Sequence, residues 1–75
     1  MSRLRRVSGQ ETIAALKRLG FTEIRQRGSH VILKKVSLAE TVGCVVPLHK
    51  ELAIGTLVGI LRQAKVTPEE FIENI

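Results

Sequence analysis

Apolar residues recur at helical spacing across residues 10–19 and again across 57–64, while the stretch between them alternates or runs β-branched, a pattern of helix, strands, helix. In the first segment Ile13, Leu16 and Leu19 line one stripe beside Ala15, with Gln10, Lys17 and Arg18 on the opposite side. Ser8 and Glu11 form the S-x-x-E capping box that starts a helix, and Gly20 suits the position just past its end. Two extended runs follow, residues 22–27 and 30–35, separated only by Gly28-Ser29. Gly then Ser fits a two-residue hairpin turn whose first central position takes positive φ, which glycine adopts cheaply.

If those two residues are the loop, the pairing follows by counting outward: Arg27 with His30, Gln26 with Val31, Arg25 with Ile32, Ile24 with Leu33, Glu23 with Lys34. Alternation then gives one apolar face of Ile24, Val31 and Leu33. The other face holds Arg25, Arg27, His30, Ile32 and the opposite-charge pair Glu23 and Lys34. Residues 36–41 read as irregular, residues 42–46 as a third strand limited by Pro47, and residues 48–53 as a loop containing His49, Lys50 and Glu51. A second helix is expected from Gly55 or Thr56, either serving as N-cap, with Leu57, Ile60, Leu61 and Ala64 inward and Val58, Arg62 and Lys65 outward. Thr67, Pro68 and Glu70 supply the cap, first-turn proline and capping-box acid of a short last helix, which Phe71 and Ile72 can tie down. The predicted fold is α+β: a two-layer α-β-β-β-α sandwich, its three-stranded antiparallel sheet covered by helices on one face and open on the other.

Seventy-five residues predict a single domain over 1–75. A chain of this size buries only roughly 60% of its unfolded surface and has a stability of roughly 3–5 kcal/mol. An apolar content of 44% with 25% charged residues is that of an ordinary globular domain. No apolar run is long enough to span a bilayer, and the cations Arg3, Arg5 and Arg6 are not followed by the apolar segment of a signal peptide. A cytoplasmic protein with no membrane association is expected. Cys44 stands alone, which excludes an internal disulfide and reads as a small core residue.

The net charge of +5 is concentrated in the first two thirds: residues 1–50 hold ten Lys or Arg against three Glu, and residues 51–75 hold two against four. Such asymmetry fits a nucleic-acid or other polyanionic partner through phosphate neutralisation, and on charge alone a merely soluble basic domain fits it equally well. Two Phe with no Tyr or Trp cannot build a base-stacking platform, so contact through phosphates and shape is expected. Within the basic part, Arg27-Gly28-Ser29-His30-Val31 sets an imidazole immediately after a tight turn among cations, a position suited to proton transfer on a polyanion. His49, after Val-Pro in a polar loop, is open to three readings, a second proton-transfer group, a cap for the second helix or a brace for the loop, and no catalysis is assigned to it. Cys44 and His49 cannot by themselves fill a metal site, and Gly55-Thr56 lacks the companion glycines of a phosphate cradle. No metal and no small-molecule cofactor is expected.

Taken together, the capped helix ending in Leu19-Gly20-Phe21, the Gly28-Ser29-His30 hairpin, Val46-Pro47-Leu48-His49, and Gly55-Thr56-Leu57 leading to Ile60-Leu61-Arg62-Gln63-Ala64 resemble the HicA family of toxins. The resemblance covers nearly the whole chain. It implies a fold similar to a double-stranded-RNA-binding domain, sequence-tolerant endoribonuclease activity on mRNA within a toxin-antitoxin pair, and inhibition by a HicB-like antitoxin. It also implies that His30 is the catalytic histidine; members often carry a second His or another residue directly after it, where this chain has Val31. Metal-free RNA cleavage needs a proton taken from the 2′-OH and another delivered to the 5′ oxygen, tasks within reach of a side chain that ordinarily titrates at about 6.5. From the hairpin register, Arg25, Arg27 and Lys34 are candidate stabilisers of the charged transition state, and Ser29 is a candidate phosphate contact. Two other readings stay open at this point: a non-catalytic double-stranded-RNA-binding module, and an interaction protein that retains the toxin fold.

Overall fold

The computed structural model describes residues 4–75; Arg3, counted in the basic N-terminal arm, lies outside the described residues. Its elements run α1 (Gly9–Arg18), β1 (Thr22–Arg27), β2 (His30–Val36), β3 (Thr41–Pro47), α2 (Ile54–Ala64) and α3 (Pro68–Glu73). The strands form one antiparallel sheet in the order β1-β2-β3. Val31, Leu33, Cys44 and Val46 point from β2 and β3 into a core shared with Leu16 of α1, Leu57 and Leu61 of α2, and Phe71 of α3. Both long helices therefore cover one sheet face, and the architecture is the expected α+β sandwich.

The capping chemistry explains where α1 and α3 begin. The Ser8 side chain accepts from the Glu11 N–H while the Glu11 carboxylate accepts from the Ser8 N–H, and Thr67 and Glu70 repeat the arrangement with Pro68 in the first turn. Helix α2 starts earlier than expected. Its N-cap is Ala53, without a side-chain bond, rather than Gly55 or Thr56, because the Leu57 N–H already reaches the Ala53 carbonyl at 3.0 Å. Strand β2 runs to Val36 and β3 occupies Thr41–Pro47, so only a short turn remains of the stretch expected to be irregular.

The hairpin register needs one correction. Arg27 pairs with His30, Gln26 with Val31 and Arg25 with Ile32 as counted, but a bulge between Glu23 and Arg25 sets Glu23 opposite Leu33 and Thr22 opposite Lys34. The extra residue is Ile24, which the alternation assigned to the core and which is instead 51% exposed. Glu23 accordingly does not face Lys34; its carboxylate lies 3.7 Å from the Lys17 ammonium of α1. Thr12, absent from the expected core, is fully buried and donates its hydroxyl to the Ser8 carbonyl at 2.9 Å. That bond is what lets a polar side chain sit there.

One end of the molecule is drawn together by backbone bonds. The Leu48 N–H donates to Ser29 O at 2.7 Å, Gly9 N–H to His49 O at 2.9 Å, and Leu52 N–H to Val7 O at 2.7 Å. The start of α1, the β1-β2 turn and the segment after β3 thus meet. Gly9 is the contact point, since a Cβ there would collide with the Pro47 carbonyl oxygen. Among the described residues no helix is long and apolar enough to cross a membrane.

Candidate functional site

The site is built on the tip of the β1-β2 hairpin. Gly28 has φ 58, the left-handed conformation its position in the turn demands, and Arg27 and His30 pair directly across it. Two bonds hold the turn from either side: Gln26 Nε2 donates to the Gly28 carbonyl at 2.9 Å, and the Ser29 carbonyl accepts from Leu48. His30 opens β2 and is exposed, while its neighbour Val31 is buried. Alternation puts its ring on the face away from the helices, between Arg27 of β1 and Pro47 of β3.

The open face can be read row by row across the three strands. Arg27, His30 and the buried Pro47 make the first row, Arg25, Ile32 and Val45 the second, Thr22, Lys34 and Gly43 the third. Arg27 is therefore next to the imidazole and Arg25 one row away. Lys34, four residues along β2, is displaced from His30 by about 13 Å of strand, so it shares the face with the imidazole without adjoining it. None of Arg25, Arg27 and Lys34 forms an ion pair with a carboxylate of the described residues. Their charge is available to an external anion. Ser29 lies in the turn, exposed and beside His30.

Counting from the turn found Arg25, Arg27 and His30 on one face because the bulge lies beyond them. It missed two residues. Gln26 braces the turn, and its signal is a carboxamide two positions before the turn glycine, within reach of that glycine's carbonyl. Pro47 flanks the imidazole, and only the pairing of β2 with β3 could reveal it. His49 holds the loop, through a backbone carbonyl that accepts from the Gly9 N–H of α1, and it caps no part of α2. Its side chain is exposed and, with Ser8, Gln10, Leu48 and Lys50, lines a cavity of about 250 Å³ at the same end of the molecule as the turn. Cys44 is buried beneath the sheet, where loss of solvation pushes its thiol up to about 11, and it has no part in the open face. Among the described residues no three His, Cys, Asp or Glu side chains group closely enough to hold a metal ion.

The arrangement offers a solvent-facing imidazole with one guanidinium beside it and a second a row away, on a rigid turn. That combination can bind a phosphodiester and move a proton at it. A family model described as the HicA toxin of bacterial toxin-antitoxin systems matches residues 9–66, a span from the start of α1 to just past α2 that contains the whole hairpin. No curated protein matches the chain.

Proposed function

The chain belongs to the HicA toxin family, and from that premise we propose that it is an endoribonuclease that cleaves mRNA at its open sheet face, without a metal, using His30 as the catalytic residue. The observation that carries the reading is the adjacency of an exposed imidazole and the unpaired Arg27 guanidinium on the hairpin tip. In the reaction a ribose 2′-OH loses its proton as that oxygen attacks the adjacent phosphorus. The bond to the 5′ oxygen breaks and that oxygen takes up a proton, leaving a 2′,3′-cyclic phosphate and a 5′-OH. Acid-base assistance of this kind is worth about 10²- to 10⁴-fold. Arg27 and Arg25 counter the charge gathered on the phosphorane-like transition state. Ser29 contacts a phosphate next to the scissile one, and Lys34, farther along β2, neutralises a more distant phosphate of the same strand.

The expected inhibitor is a HicB-like antitoxin that covers this face and shuts out the substrate, adding buried surface to a small core. The test is to incubate radiolabelled mRNA with wild type or His30→Ala in the presence of EDTA. Cleavage by wild type alone supports the reading. Binding by both without cleavage would assign a non-catalytic RNA-binding module, and failure of both to bind would assign an interaction protein.

A further inference from the structure

The two most exposed large apolar side chains among the described residues sit at the end of the sheet away from His30: Leu38 is fully exposed and Val36 is 77% exposed. Neither belongs to a loose loop. The Ser37 N–H and hydroxyl both donate to the Glu40 carbonyl at 2.9 Å, and the Glu40 N–H donates to Ser37 Oγ at 3.2 Å. From outside the turn, Lys65 at the end of α2 reaches Glu40 Oε1 with its ammonium at 2.7 Å. A leucine is thus held out in water on a short turn braced from within and from a helix. Taking such a side chain out of water is favourable, and the fold recovers none of that gain.

Val36 pairs with Thr41 in the last row of the open face. Between that row and His30 lie the partly exposed Ile32 and Val45. Lys34 lies there too, in the row next to Val36, so apolar and cationic positions interleave along the face over six residues or about 20 Å of β2.

We propose that Leu38, with Val36, is the apolar anchor by which the antitoxin holds this toxin, the partner lying along the open face with an apolar socket over Leu38 and carboxylates over Arg25 and Arg27. The inference rests on the occlusion reading above. Family membership supplies a protein partner, and the three open-face cations without carboxylates call for an acidic one. Area argues the same way. A stable interface takes about 800 Å² from each partner, whereas three strands about 4.8 Å apart over about 20 Å outline a flat patch of only a few hundred Å². The open face as a whole falls short of that, so a partner seated on it has to reach past its edges, and the β2-β3 turn carrying Leu38 forms one of those edges. Because the turn is held by its own hydrogen bonds, seating Leu38 orders its side chain and little of the backbone. A second copy of this chain would bring like charge against like on the same face.

The experiment measures, by calorimetric titration, the affinity of the co-encoded antitoxin for the toxin carrying His30→Ala, alone and with Leu38→Ser or with Arg25→Ser and Arg27→Ser together. Leu38 is fully exposed, so its replacement leaves the fold intact, checked by circular dichroism. The expected result is a loss of affinity of at least about tenfold for Leu38→Ser. An affinity within about twofold of the parent, alongside clear weakening by the arginine pair, would remove the anchor while leaving occlusion of the open face in place. No weakening by any variant would remove both. If Leu38→Ser abolished self-association in sedimentation while leaving antitoxin affinity unchanged, a second copy would be the occupant and the proposal would be overturned.

Discussion

An imidazole with an arginine across the strand owes its position to a single glycine. Gly28 at φ 58 closes the two-residue loop that brings Arg27 opposite His30, and Gln26 ties the turn by donating its side-chain N–H to the Gly28 carbonyl. Under the sheet, Cys44 illustrates the opposite use of a polarisable side chain. Burial raises its thiol to about 11 from an ordinary 9.0, so the folded state holds this proton more tightly than the unfolded chain does. The resulting stability is complete below pH 9 and is lost as pH rises from 9 towards 11. At neutral pH the thiol is expected to react with a disulfide reagent only as fast as the protein opens, and at once in denaturant. Labelling of the native protein at the rate of a free cysteine would show that the site beneath β3 is not closed.

At the level of elements, the helices differ in how they start. Helices α1 and α3 carry reciprocal capping boxes, whereas α2 begins at an alanine with no side-chain acceptor and depends on packing of Leu57, Ile60, Leu61 and Ala64. The backbone N–H bonds from Ser8 and Thr67, with the side-chain bonds beside them, hold the Glu11 and Glu70 carboxyls below their ordinary 4.5. Lowered folded values mean stability that is fully present above pH 4.5 and lost below it, as pH falls through the lowered values of the folded state. Ser8→Ala is expected to cost about 1 kcal/mol at neutral pH, and Glu11→Gln, which removes the titrating carboxyl itself, to flatten the acid limb of a plot of urea midpoint against pH. An acid limb as steep as that of wild type would mean that the α1 box contributes nothing to acid sensitivity. The bulge in β1 is the element-scale feature that alternation could not foresee. Glu23 faces the helix layer near Lys17 and Ile24 is left in water, because one inserted residue reverses the parity of all that precede it.

For the molecule as a whole, a core this small leaves little margin. Leu33 is fully buried at the centre of the sheet, and Leu→Ala at such a site costs roughly 2–5 kcal/mol, against a total of roughly 3–5 kcal/mol for a domain of this size. Leu33→Ala is therefore expected to be largely unfolded alone, by near-complete loss of amide dispersion in its NMR spectrum, and to regain structure with a binding partner. A well-dispersed spectrum of the isolated variant would show that the core tolerates the cavity. The charge is equally uneven: Arg25, Arg27 and Lys34 of the hairpin share the open face, with Lys35 on the helix side, while α3 carries Glu69, Glu70 and Glu73.

The sequence by itself determined the order of the elements, the capping of α1 and α3, the hairpin turn and the pairing next to it. Each of these depends on residues within a few positions of one another, where spacing and turn chemistry leave little choice. It also carried the family resemblance that the match over residues 9–66 bears out. Tertiary structure alone decided the rest: that β1 bulges at Ile24, that Thr12 is buried, that α2 begins at Ile54, that Pro47 flanks His30, and that the His49 carbonyl anchors α1. Those outcomes depend on contacts between segments far apart in the chain, whose fit is fixed only when the two layers close on each other.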